Sequence, residues 1–218
     1  MLTFPKPTKA KQRAEAAAQA QGFAWYEQVQ GLLRAGNLAG AAHAINPFPS
    51  PHYYNEAIQA VALAQVQAGE LLAAVATAQR LRYPDTKGDV LGAVIQVLLQ
   101  RGDVAGAEWL AATVTGFRYV SVMKLIAAAQ QQAGNAEAAR RALGQAREYA
   151  QGFSEGDMKN GYFRSYYLSD IVAAQLRLGN VAEATHTAQL IDQPEDRSQA
   201  LRAISEQADT TRISAYLA

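Results

Sequence analysis

The residues best suited to proton or metal chemistry near neutral pH are three histidines, His43, His52 and His186, because imidazole alone titrates in that range unaided. Their placement argues against both roles. His43 and His186 each stand seven residues after a glycine of a recurring motif, so they are equivalent positions in distant units and cannot share a metal. His52 lies in the loop "NPFPSPHYY", which holds no acidic residue. The chain has no cysteine, which removes thiolate zinc sites, disulfides and a thiol nucleophile. No Ser/His/Asp arrangement, metal-ligand helix motif or phosphate-cradling glycine loop occurs. The expectation is a chain with no catalytic, cofactor-binding or metal-binding residues and no cofactor.

What remains is chemistry of recognition, and the aromatic residues carry it. "REYAQGFSEGDMKNGYFRSYY", residues 147–167, mixes Glu155 and Asp157 with Phe153, Tyr162, Phe163, Tyr166 and Tyr167. Aromatic side chains bring large contact area at low entropic cost. Either these rings bind a partner, or they bury into the adjoining helices. The proline-stiffened loop 45–54 offers Phe48, Tyr53 and Tyr54 under the same two readings.

Periodic elements must position these side chains. Half of the 218 residues are apolar, and alanine, the strongest helix former, supplies much of that half. A motif recurs at Gly36-Asn37, Gly69-Glu70, Gly102-Asp103, Gly134-Asn135 and Gly179-Asn180, each followed by alanine five residues after the glycine. The intervals are 33, 33, 32 and 45 residues, and such a period marks a helical repeat. Glycine can close a helix in the left-handed conformation, and Asn or Asp caps the next one. The alanine lets two helices approach closely, and a larger residue there would overpack the contact.

Upstream of each glycine the apolar residues follow helical spacing, as in Ile58, Ala62 and Val66 or Leu91, Ile95 and Leu99. Prolines fifteen residues after the glycine (Pro51, Pro84 and Pro194, with Phe117 in the third copy) are expected to end the second helix. The predicted pairs are 22–35 with 38–46, 52–68 with 71–82, 87–101 with 104–115, 119–133 with 136–150, and 163–178 with 181–192. A sixth first helix is expected near 196–208, carried by Leu201 and Ile204. The fold class is therefore all-α: an α-solenoid of about five helix–turn–helix repeats plus a terminal capping helix. Its parts are a basic N-terminal arm or capping helix at 1–21, repeats over 22–208 and a short helix at 209–218. The long interval places about 12 extra residues in an insertion near 151–161, and such insertions often sit on the binding face.

The period near 33 and the Gly, Asn/Asp, Ala spacing resemble the tetratricopeptide repeat over residues 22–208. The chain departs from that family four residues before the glycine, where Leu32, Gln65, Leu98, Gln130 and Gln175 replace its aromatic residue. The resemblance implies a groove lined by the first helices, with Tyr26, Gln30, Arg34, Glu56, Gln59, Gln67, Asp89, Gln96, Gln100, Lys124, Gln132, Tyr166, Ser169 and Arg177 facing it. The family's carboxylate clamp does not transfer, because Lys124 lacks its asparagine and Ala128 stands in that place.

The leading functional reading is a non-enzymatic scaffold or adaptor. It would bind a peptide or protein surface through the groove and the aromatic insertion, using Tyr26, Gln30, Arg34, Gln59, Gln96, Gln100, Lys124, Phe153, Tyr162, Phe163, Tyr166 and Arg177. The alternative is a nucleic-acid-binding helical repeat, or a repeat enzyme of the DNA glycosylase kind with Asp89 or Asp157 as its acid. A formal charge of +1, from 20 basic and 19 acidic residues, gives no basic excess to support nucleic acid. No stretch reaches membrane-span length, and the basic start lacks the apolar region of a secretory signal. A soluble, cytoplasmic protein is expected, and exposed helix stripes could pair two copies.

Overall fold

The computed structural model describes residues 8–46, 53–153 and 162–217, the last seven by backbone alone. Among them are eleven helices and no strand: α1 (Lys9–Arg34), α2 (Leu38–Ala44), α3 (Tyr54–Gln67), α4 (Leu71–Ala78), α5 (Pro84–Gln100), α6 (Val104–Ala111), α7 (Arg118–Gln132), α8 (Ala136–Gln151), α9 (Tyr162–Arg177), α10 (Val181–Gln189) and α11 (Pro194–Leu217). No described helix is long and apolar enough to cross a membrane. The chain divides into two compact units, Met1–Val97 and Leu98–Ala218.

All five motif glycines have positive φ, between 70° and 80°. The turn at Gly102 shows why. Its N–H donates to the Leu99 carbonyl at 3.0 Å, and the Asp103 N–H reaches back to Leu98 at 2.9 Å. This reciprocal pair satisfies carbonyls that a helix end would otherwise orphan, and it needs a left-handed residue between them. Asp103 then turns to the next helix, its carboxylate accepting from the Gly106 N–H at 2.9 Å. Asn37 and Asn180 cap in the same way. Asn135 does not; it donates instead to the Gln130 side chain at 2.9 Å.

Within the first unit α1 packs on α2, α3 on α4, and α3 also on α1 and α2. Within the second unit each helix from α6 to α11 packs on the next, and α9 also touches α7 and α11. This sequential packing is consistent with a helical-repeat-like arrangement. The alanines five residues past the turns, Ala41, Ala74, Ala107, Ala139 and Ala184, are all fully buried. Residues of the first helices are buried as well: Val29, Ile58 and Ala62 in the first unit, Met123, Leu168 and Val172 in the second.

The prolines do the opposite of what their spacing suggested. Pro84 and Pro194 open α5 and α11 rather than ending α4 and α10. Proline suits the first helical position, since its fixed φ is helical and the N–H it lacks would have had no partner there. Pro51 lies outside the described residues. The second helices α2, α4, α6 and α10 stop short of their expected ends, whereas α8 reaches Gln151. Beyond α4, the Arg80 and Leu81 N–H groups make tight three-residue bonds to Thr77 and Ala78, which turn Leu81 into the core.

At the N-terminal end residues 9–21 are helical, as expected, and run without a break into the rest of α1, with Thr8 capping the start and every side chain exposed. At the other end α11 runs unbroken to Leu217, where separate helices at 196–208 and 209–218 were expected. Position 212 is Arg212 rather than glycine, so nothing favours the left-handed stop. Ala200 and Ile204 supply the buried face of α11, and Leu201 points outward.

Candidate functional site

The first turns of α9 carry four aromatic residues in two interleaved pairs, and each pair has a different surrounding. Phe163 and Tyr167 turn toward Phe117, the residue before α7. Their rings lie 5.1 and 5.7 Å from it, the second within 9° of parallel. Phe153 closes the group at 5.0 Å, and Tyr149 meets Phe153 edge-on. Tyr149 also accepts a 2.9 Å bond from the Gly116 N–H through its hydroxyl, and its ring rests on Tyr119 at 4.5 Å. Burial, with Tyr149 and Glu148 nearby, raises the Tyr119 phenol above its ordinary value.

Tyr162 and Tyr166 face the other way and are 58% and 52% exposed. Phe163 and Tyr167 hold them edge-on, at 5.8 and 5.1 Å. Together they wall a half-open cleft of about 380 Å³ between α9 and α11. Val172, Ala173 and Leu176 of α9 with Ala200 and Ala203 of α11 give it an apolar lining. Its polar groups are Ser169, Asp170, Asp196 and Gln199. The Ser169 hydroxyl is buried without a hydrogen-bond partner. Asp170 is engaged by Lys124 of α7. Asp196, in the first turn of α11, has no ion-pair partner among the described residues.

One wall of the cleft is fixed by a buried serine. Ser165 accepts from the N–H groups of Asp192 and Gln193 at 3.2 and 3.1 Å, tying the loop before α11 to α9. In the first unit Asn55 makes the same kind of tie, accepting from the Arg82 N–H at 3.1 Å. Both residues stand fourteen positions before their turn glycines, where the other copies have Gly22, Gly88 and Val120. The loop before α11 is held further by Arg164 pairing with Asp192 and by Arg197 donating to the Ile191 carbonyl at 2.8 Å.

The remaining residues expected at a binding surface are divided between the two units. Tyr26, Gln30, Arg34, Gln59 and Gln96 belong to the first unit. There Tyr26 stacks on Tyr53 at 5.6 Å, Arg34 makes an exposed pair with Glu27, and Gln30 and Gln59 are half-buried. Gln96, Gln100 and Arg177 are exposed. Lys124 is occupied by Asp170, and Phe153 and Phe163 belong to the packed aromatic group. Tyr162 and Tyr166 are thus brought together with Ser169. Residues 154–161, most of the insertion and with it Glu155 and Asp157, lie outside the described residues.

Sequence reasoning missed Asp170, Asp196 and Gln199, whose apposition depends on how α9, α11 and α7 pack. It also missed the buried glutamines Gln65, Gln130 and Gln175. Their position four residues before the turn was visible as a departure from the repeat, but their burial was not. Gln130 donates to Glu108 at 2.6 Å. His43, Trp109 and His186 share one register slot, and all are exposed, Trp109 by 73%. Among the described residues no group of three His, Asp or Glu side chains could hold a metal. No family model, curated protein or solved structure matches this chain.

Proposed function

We propose that this protein is a non-enzymatic interaction adaptor of the tetratricopeptide-like kind, which binds a peptide or protein segment between its first helices. The observation that carries the reading is the α9/α11 cleft, where two exposed tyrosines stand over an apolar floor. Large exposed aromatic area beside a few polar groups is typical of a protein-binding hot spot. Two of the cations expected in the groove, Arg34 and Lys124, are paired with Glu27 and Asp170. That pairing weakens the case for a phosphate-binding surface.

Panning the immobilised full chain against displayed twelve-residue peptides tests the proposal. A family of related peptides should emerge whose binding is lost in Tyr166→Ala. No enrichment, or enrichment indifferent to every change in the α9/α11 cleft, would remove the reading.

A further inference from the structure

We infer that the α9/α11 cleft recognises a cationic side chain, with arginine preferred over lysine, presented by the partner segment. The inference rests on the adaptor reading for its biological setting, but the site itself is built from this chain's own chemistry. Three observations converge on it.

The first is charge. Two carboxylates, Asp170 and Asp196, line the cleft, and among the described residues no basic side chain does. Lys124 neutralises Asp170 from α7, which leaves Asp196 as the uncompensated charge. Two arginines near the loop before α11 are engaged: Arg164 pairs with Asp192, and Arg197 bonds the Ile191 carbonyl. The start of α11 contributes a partial positive charge of about one half. Glu195 and Asp196 in that first turn outweigh it with two full negative charges, so the local field favours a cation.

The second is aromatic surface. Tyr162 and Tyr166 lie one helical turn apart and present π surface at the cleft. Tyrosine faces attract cations, and a planar guanidinium both stacks on them and forks onto a carboxylate. An ammonium is attracted to the ring face but neither stacks flat on it nor forks onto the carboxylate. The third is the lining. Val172, Leu176 and Ala200 suit the methylene stem of a long side chain, which buries its carbons while its charged head stays near Asp196. The Gln199 amide and the unpartnered Ser169 hydroxyl are there to bond the remaining polar groups. An anionic or wholly apolar ligand would leave Asp196 repelled or desolvated.

Titration of the full chain with N-acetyl-arginine amide and with its neutral isostere N-acetyl-citrulline amide, read by backbone amide chemical shifts, tests the assignment on the unaltered protein. The arginine compound should shift resonances around Tyr166, Ser169 and Gln199, and it should bind about tenfold more tightly than citrulline. Asp196→Asn should close that gap, and Tyr166→Ala should weaken both ligands. Equal affinities, or shifts confined to other helices, would overturn the cation assignment. Panned peptides that bind this cleft without a basic residue would overturn it too, while leaving the adaptor reading standing. Arginine-amide binding at the cleft with no peptide ever enriched would do the reverse, keeping the cation site and sinking the adaptor.

Discussion

Phe163 and Tyr167 differ from Tyr162 and Tyr166 by one step along the same helix, yet the two pairs do different work. Both have the spacing of four that puts side chains on one helical face. The first pair stacks on Phe117 and is half-buried; the second stands exposed over the cleft to α11. Adjacent aromatic residues of one segment are therefore divided between packing and candidate recognition. The inner pair also steadies the outer one through edge-on contacts, so the packed group is a platform for the exposed rings.

The comparison can be broken in order of effect. Phe117→Ala removes the ring on which Phe163, Tyr167 and Phe153 converge, and should cost about 3 kcal/mol, read as a lower urea midpoint. A loss near zero would mean that the inner group contributes no stability. Ser165→Ala strips the acceptor from two backbone N–H groups beside the cleft and should cost about 1–3 kcal/mol. It should also weaken peptide binding if the Ser165 tie shapes that wall. Gly102→Ala is a control away from both pairs. Nothing crowds a Cβ there, but φ is +77°, so about 1–2 kcal/mol of left-handed strain is expected with the fold retained.

A smaller effect belongs to Tyr119, at the margin of the inner group. Its phenol is raised above 10.0 by burial, then by Tyr149 and Glu148. The unfolded chain therefore loses this proton first. The stability tied to the neutral phenol is complete below pH 10 and is lost as pH rises through the folded value. Tyr119→Phe should make the alkaline decline shallower in urea titrations above pH 10. The smallest change in stability is expected for Tyr166→Ala, within about 0.5 kcal/mol as for an open surface position. Its expected loss of peptide binding at unchanged melting temperature would separate the two pairs most cleanly.

Much of the fold was legible because it is written locally. A glycine followed by a capping residue closes one helix and starts the next through bonds spanning five residues or fewer. The buried alanines announced themselves by recurrence. The prolines misled because their spacing is equally compatible with ending one helix or opening the next, and only the length of the intervening loop decides between the two. The candidate site was half legible. Tyr162 and Tyr166 were nominated from aromatic content and Ser169 from the groove that the repeat resemblance implies, but Phe163 and Phe153 were nominated beside them without distinction. Asp196 carried no signal at all.

The sequence by itself determined the all-helical class, the five turns and the close approach of helices at Ala41, Ala74, Ala107, Ala139 and Ala184. Each depends on backbone conformation, capping and side-chain size within a short span. Only the tertiary structure decided which aromatic residues became core, that Lys124 is tied up by Asp170, and that Asp196 faces two tyrosines across a cleft. Those outcomes depend on helices distant in sequence coming together, and a helical period records a face without recording what will cover it.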